Sequence, residues 1–178
     1  MNYFEFYEIP VSFSIDQQLL KNKFFELSKK YHPDFFVNKE SVQQKEMLDI
    51  STFNTKAFQT LSDFNKRMKY ILELKNQIYE GERYELPSGF LMEMMEINES
   101  MMDVKMDGDA EKIIGIRRHV EDLFENLYEE VRTLIESYDD ATAGQETLKK
   151  IKDYYYKKKY LLRIQHSLDT FEFSEKIS

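Results

Sequence analysis

Apolar residues recur along most of the chain at the spacing of an amphipathic helix. Behind Asp16, a plausible N-cap, a first set follows at i, i+4, i+7 and i+11: Leu20, Phe24, Leu27 and Tyr31. These positions share one face of a helix, and Pro33 disfavours helical backbone at the residue before it. The pattern therefore predicts a helix from Asp16 to about Tyr31, preceded by a short aromatic segment at residues 3–9.

A second amphipathic stretch follows a loop at residues 32–39, and Ser41 can cap it. Its apolar stripe comprises Met47, Ile50, Ala57 and Leu61. Two helices of similar length that are joined by a loop predict an antiparallel hairpin. A shorter helix, Asn65 to Leu74, turns apolar residues toward this hairpin and carries basic residues on its other side.

The helical pattern breaks between residues 76 and 87, where Gly81 and Pro87 indicate a linker. Three longer periodic stretches follow: Ser88 to about Lys105, Asp109 to about Tyr138, and Ala141 to about Phe173. Short connections between long helices predict an antiparallel three-helix bundle. The expected organisation is an N-terminal helical domain at residues 1–75, a linker at 76–87 and a C-terminal bundle at 88–178.

Composition supports an all-α fold and excludes several functions. Only 5 Gly and 3 Pro interrupt the chain, which leaves few turns for a many-stranded sheet. The net charge of -8 argues against general nucleic-acid binding, because phosphates are bound by cationic surfaces. Without cysteine, the chain has no disulfide, no thiolate metal site and no sulfur ligand for an iron–sulfur cluster. Since no leader-like start and no apolar run of about 18 residues is present, we expect no membrane contact and a cytoplasmic location.

The tripeptide His32-Pro33-Asp34 stands in the loop between the first two helices and has the chemistry of a docking device. Pro33 stiffens the turn, and His32 offers a hydrogen-bond donor. Asp34 offers a carboxylate that can pair with a cation across an interface. The alternative is an ordinary turn that ends a helix.

The surroundings of this tripeptide resemble a J domain. A helix ends in KKYHPD, a loop follows, a long helix carries AFQTLSD at Ala57 to Asp63, and a short basic helix comes last. With the aromatic opening NYFEFYEIP and the bundle behind, the whole chain resembles the HscB family, called Jac in mitochondria. Two departures are Phe35, where J domains commonly have Lys, and Thr55, where they often have Asn.

The resemblance implies an L-shaped, all-α protein with an N-terminal J domain and a C-terminal three-helix bundle. It implies a co-chaperone that binds an IscU-type iron–sulfur scaffold protein, delivers it to a DnaK/HscA-class chaperone and stimulates the chaperone's ATPase, without a cofactor or catalysis of its own. The triplet would contact the chaperone, together with the cations that surround it in the family: Lys23, Lys29, Lys30, Lys66, Arg67 and Lys69.

The stretch from Ser88 to Lys105 carries more apolar residues than one packing face needs. One stripe comprises Phe90, Met94, Ile97, Met101 and Val104. A second lies about 100° away and comprises Leu91, Met95 and Met102, with Met92 beyond it and an acidic edge of Glu96, Glu99 and Asp103. Surplus apolar surface with a polar rim is typical of a partner site. The alternative is that both stripes are buried between neighbouring helices.

In the family this helix binds the scaffold, and the resemblance implies a defined set of contact residues. They are Leu91, Met92, Met95, Glu96 and Glu99, with Asp103 of the acidic edge and Tyr160 on the last helix.

Other chemistry is weaker. His119 and His166 lie on separate predicted helices without ligand spacing, so we expect no metal site. An enzyme is the least expected function, because no activated nucleophile, acid–base pair or phosphate loop is visible. Two alternatives stay open: a J-domain co-chaperone for a different client, and a helical adaptor outside the chaperone system.

Overall fold

The computed structural model describes residues 1–37 and 40–175, and within them the chain forms seven α-helices, one 3₁₀ turn and no strand. The elements are α1 (Tyr3–Phe6), α2 (Gln17–Lys30), the 3₁₀ turn (Pro33–Phe36), α3 (Ser41–Ser62), α4 (Phe64–Leu74), α5 (Ser88–Asp107), α6 (Ala110–Glu136) and α7 (Gln145–Glu175). The prediction of an all-α fold is confirmed.

The chain divides into two compact units. The first contains the described residues of Met1–Asn76 and Ile135–Ala143, and the second contains those of Gln77–Leu134 and Gly144–Ser178. The second segment of the first unit is held there by a ring contact between Phe13 and Tyr138, with centroids 4.7 Å apart. Lys75 adds an ion pair with Asp140 at 2.5 Å.

The hairpin of α2 and α3 forms as its sequence predicts, with one difference at a cap. The Asp16 carboxylate accepts hydrogen bonds from the N–H groups of Gln18 and Leu19, which satisfies two of the free donors at the start of α2. At the start of α3, however, the N-cap residue is Glu40, which makes no side-chain capping bond. Ser41 is therefore the first helical residue and not the cap.

A buried amide connects the first three helices of the N-terminal unit. Asn54 on α3 accepts a hydrogen bond from the Tyr7 hydroxyl at 2.7 Å. Its amide nitrogen donates to the Phe24 carbonyl at 3.1 Å and to the Ser28 hydroxyl at 2.9 Å. Because every polar atom of this buried side chain has a partner, the network specifies the register of α3 against α1 and α2.

The helices of the second unit share one apolar core. A small cavity is lined by residues from all three of them: Met101 and Val104 of α5, Ile113 and Ile116 of α6, and Leu168 of α7. On α5 the buried residues are those of the predicted packing stripe: Phe90, Met94, Ile97, Met101 and Val104. The periodicity of the sequence therefore identifies the packing face of this helix.

The last helix begins later than the pattern predicts. A turn at residues 139–143 precedes it, in which the Asp139 carboxylate accepts from the Ala141 N–H and the Thr142 hydroxyl, both at 3.0 Å. Asp side chains commonly stabilise such turns by bonding to the backbone that follows. The prediction that this helix starts at Ala141 is therefore wrong, and α7 starts at Gln145.

The segment before α5, predicted as a linker, makes side-chain bonds to α7. Glu82 forms an ion pair with Lys152 and accepts a hydrogen bond from the Tyr156 hydroxyl at 2.9 Å. Tyr84 donates to Asp153 at 2.9 Å and stacks on Tyr156 with ring centroids 4.4 Å apart. These contacts order residues 77–87 within the second unit.

Among the helices of the described residues, none has a stretch long and apolar enough to cross a lipid bilayer.

Candidate partner-binding surfaces

The His32-Pro33-Asp34 triplet lies on the surface of the first unit, in the turn between α2 and α3. Pro33 is the first residue of the 3₁₀ turn, where its fixed φ and missing N–H suit the backbone. The side chains of His32 and Asp34 are 53% and 82% exposed. A partner can therefore reach both functional groups without any unfolding of the loop.

The hydrogen bonds of the turn orient the imidazole. The Asp34 N–H donates to Nδ1 of His32 at 3.3 Å. Because Nδ1 serves as an acceptor, the proton of the neutral ring is on Nε2. The exposed ring therefore offers an N–H donor at Nε2, beside the carboxylate of Asp34, which is an acceptor.

Five of the predicted cations lie at positions that a partner can contact. Lys29 and Lys30 are exposed in the last turn of α2, directly before the triplet, where positive charge also favours the carboxyl end of a helix. Lys23 is half-buried one to two turns earlier. Lys66 and Lys69 are exposed on α4, and Lys69 pairs with Glu73 at 3.4 Å.

The prediction that Arg67 lies on the same exposed basic face is wrong. Arg67 is only 5% exposed, and its guanidinium donates to the backbone carbonyls of Phe13 and Leu61. Burial lowers the pKa of this guanidinium, while the nearby Asp63 carboxylate acts in the opposite direction. Arg67 therefore supports the fold of the first unit, because buried carbonyls require a donor.

The second apolar stripe of α5 is exposed, so the alternative in which both stripes are buried does not hold. Met92 and Met95 are 63% and 60% exposed, and Leu91 is 38% exposed. Met102 continues the stripe two turns further on and is exposed as well. A row of flexible apolar side chains on a helix surface is suited to a partner with its own apolar patch.

The acidic residues predicted beside this stripe lie along one side of it on α5. Glu96, Glu99 and Asp103 are all exposed and supply an acidic edge. Tyr160 of α7 is half-buried, and its ring meets Phe90 of α5 edge-on with centroids 6.1 Å apart. The structure thus connects Tyr160 to the buried side of α5, while the acidic residues belong to its exposed side.

Three exposed apolar residues near the triplet were not among the predicted contact residues, although Phe35 was noted as a departure from the J-domain pattern. Phe35 and Val37 belong to the loop that follows Pro33, and Leu48 lies on α3 outside the predicted packing stripe. All three side chains are at least half exposed, and we call them the apolar rim. The available signal was the run Phe35-Phe36-Val37, since consecutive apolar residues in a loop cannot all turn inward.

No group of three or more His, Asp or Glu side chains that could hold a metal ion occurs among the described residues. His119 pairs with Glu93 instead, with Nε2 and Oε1 3.8 Å apart.

Comparison with known proteins relates both units to one family. Residues 86–169 match the family described as the HSCB C-terminal oligomerisation domain. The co-chaperone protein HscB homolog of Colwellia psychrerythraea is 30% identical over 158 residues, which cover 86% of this chain and 90% of that protein. The co-chaperone protein HscB of Proteus mirabilis is 30% identical over 137 residues, which cover 75% and 79% of the two chains.

Solved structures show the same fold. Chaperone HscB from Vibrio cholerae superposes with a TM-score of 0.73 at 24% identity and covers 98% of this chain and 99% of its own. The human co-chaperone protein HscB gives a TM-score of 0.77 at 24% identity and covers 97% of this chain and 82% of its own. The shared fold therefore extends over the J-domain and bundle regions alike.

Proposed function

This chain belongs to the HscB family of co-chaperones, and we propose that it binds an IscU-type iron–sulfur scaffold protein, delivers it to a DnaK/HscA-class chaperone and stimulates that chaperone's ATPase. In this proposal residues 1–75 are the J domain and residues 88–178 bind the scaffold. The cluster is cargo of the scaffold, which suits a chain that has no cysteine. The exposed triplet between α2 and α3 is the observation that carries the proposal.

The chaperone half of the proposal rests on the chemistry of the loop. A donor at His32 and an acceptor at Asp34 are presented together by a turn that Pro33 stiffens. Preorganised groups lose little conformational entropy when they bind. The exposed lysines that precede the triplet give the docking face positive charge, which speeds encounter with an acidic partner surface.

Stimulation of hydrolysis needs no bond chemistry from this chain. A docking protein accelerates a reaction in its partner if it binds the reactive conformation more tightly than the resting one. The triplet therefore acts by selecting the hydrolysis-competent state of the chaperone. This assignment agrees with a family whose members are named co-chaperones.

The scaffold half of the proposal rests on α5. Leu91, Met92 and Met95 offer a continuous apolar surface that the bundle itself leaves uncovered. Glu96 and Glu99 flank it and favour a partner with basic groups at the edge of its apolar patch. Since the packing stripe occupies another face of the helix, binding of the scaffold does not require the bundle to open.

The experiment that tests the proposal is the substitution His32→Gln. We expect it to abolish stimulation of the chaperone ATPase and to leave the circular dichroism spectrum and scaffold affinity unchanged, because the side chain is exposed and outside the scaffold surface. The matched control is His119→Gln, another exposed histidine, which should stimulate like the wild type. Retained stimulation by His32→Gln would refute the docking role.

The identity of the client is tested separately. Purified IscU-type scaffold is titrated into a mixture of the chaperone and this protein. The ATPase rate of the chaperone should rise above the rate with only the scaffold or only this protein added. Stimulation by this protein without any added effect or binding of the scaffold would favour a different client. No effect with any DnaK-class chaperone would favour an adaptor outside the chaperone system.

A further inference from the structure

A groove of about 410 Å³ lies beside the triplet on the surface of the first unit. Its lining includes Pro33 and Asp34 of the triplet, Val37 and Leu48 of the apolar rim, and Lys45. The Gln44 side chain donates to the Val37 carbonyl at 3.0 Å and so ties the end of the loop to α3. The groove is therefore built from the same turn that presents His32 and Asp34.

The three side chains of the apolar rim are all more than half exposed to solvent. Phe35, Val37 and Leu48 are 66%, 67% and 55% exposed, and the Phe35 ring lies edge-on to the His32 imidazole with centroids 5.9 Å apart. Single exposed apolar residues are common on protein surfaces, but here Val37 and Leu48 line one groove and Phe35 lies in the same turn, which is typical of a binding surface.

We infer that the groove and the apolar rim form a second part of the chaperone-docking face and receive an apolar side chain of the DnaK-class chaperone. This inference rests on the proposed function and adds the chemistry that the partner must present: an aliphatic or aromatic side chain next to groups that pair with His32 and Asp34. The groove shares Pro33 and Asp34 with the triplet, so a partner that covers the triplet also covers the groove.

The size and charge of the groove favour this occupant over a second copy of the chain. A stable protein interface engages about 20–30 residues on each side, whereas the groove and rim hold one or two side chains. Asp34 and Lys45 line it together with Val37 and Leu48, so the groove combines opposite charges with apolar surface. Such a feature suits a small contact within the transient docking of a chaperone.

The inference changes the expected response of docking to salt. Attraction between exposed lysines and an acidic surface weakens as salt screens the charges, but apolar contact does not. The test is therefore the concentration of this protein that gives half-maximal ATPase stimulation, measured at about 0.1 M and about 0.5 M salt. The variant is Val37→Gln/Leu48→Gln, and its matched control is Leu19→Gln/Val42→Gln.

Like the groove variant, the control replaces one Leu and one Val by Gln, but at exposed positions that do not line the groove. Val42 is 64% exposed on the same helix as Leu48 but is rotated from it by about 120°. Leu19 is exposed at the start of α2, about 16 Å along that helix from its last residue. All four substitutions are at exposed positions, so thermal unfolding should change little. If the double variant unfolds early, Leu48→Gln alone serves as the test.

We expect the groove variant to raise the half-maximal concentration about tenfold at both salt concentrations, and the control variant to stay within about twofold of wild type. Equal values for the two variants would overturn the inference, while loss of stimulation in His32→Gln would still support the proposed function. A wild-type dimer that the groove variant dissociates would also overturn it, in favour of self-association. Absence of stimulation by the wild type would reject both.

Discussion

Replacement of Leu91, Met92 and Met95 by alanine tests whether the uncovered stripe of α5 binds the scaffold. Complete burial of a Leu or Met side chain contributes about 1.5–3 kcal/mol. The exposed fractions of these side chains, 38%, 63% and 60%, leave that share for a partner to bury. After allowance for the surface that alanine retains, the triple variant should bind about 3 kcal/mol more weakly, which is about a 100-fold rise in Kd.

The assay is calorimetric titration of an IscU-type scaffold with thermal unfolding measured in parallel. Leu162→Ala is the matched control, because Leu162 on α7 has the same exposed fraction as Leu91, 38%. It should leave the Kd unchanged. Met94→Ala is the converse variant, since Met94 is fully buried; it should lower stability by about 2–5 kcal/mol and leave binding intact while the protein is folded.

An unchanged Kd for the triple variant would show that the exposed stripe does not contribute to scaffold binding. Equal weakening by Leu162→Ala would point to a general loss of apolar surface and would also contradict the assignment. A fall in Tm of the triple variant comparable to that of Met94→Ala would mean that the stripe is part of the core. A scaffold-binding role for the stripe requires that substitutions on the exposed face of α5 change affinity and that those on the buried face change stability.

Three further predictions concern stability. Arg67→Ala should lower the free energy of unfolding in urea by about 3 kcal/mol, because it removes the donor from buried carbonyls; a loss below about 0.5 kcal/mol contradicts its structural role. Gly115→Ala should raise Tm by about 2–4 °C, because Ala favours a helix over Gly by about 1 kcal/mol. Gly115 is helical and has open space where the added methyl group would lie, so a lower Tm would contradict this prediction. Burial acts to raise the pKa of Glu82, but hydrogen bonds from Lys152 and Tyr156 hold this pKa below its usual 4.5. The stability that the Glu82 carboxylate contributes is therefore fully present above the usual pKa and is lost as the pH falls through the lowered one. Wild type should therefore lose more stability than Glu82→Gln on acidification from about pH 6 to about pH 3, and equal losses would exclude the ion pair as the cause.

Most of the fold follows from local pattern. The spacing of Leu20, Phe24 and Leu27 predicts α2, and Asp16 marks its start, because caps and helical periodicity depend on near neighbours in the chain. The main exception is set by a contact that a local pattern does not contain. Arg67 is buried because its guanidinium donates to the carbonyl of Phe13, 54 residues earlier in the chain. The late start of α7 is a local exception, since the Asp139 carboxylate bonds to its near neighbours Ala141 and Thr142.

The amino-acid sequence by itself determined which residues share a face of each helix, and it placed a donor and a carboxylate around a stiff turn. Helix geometry repeats over a few residues, so those relations need no tertiary information. Only the tertiary structure decided that the second stripe of α5 stays exposed and that Val37 and Leu48 line one groove with Pro33. Burial is the result of which surfaces pack together, and side chains far apart in the chain become neighbours only when those surfaces meet.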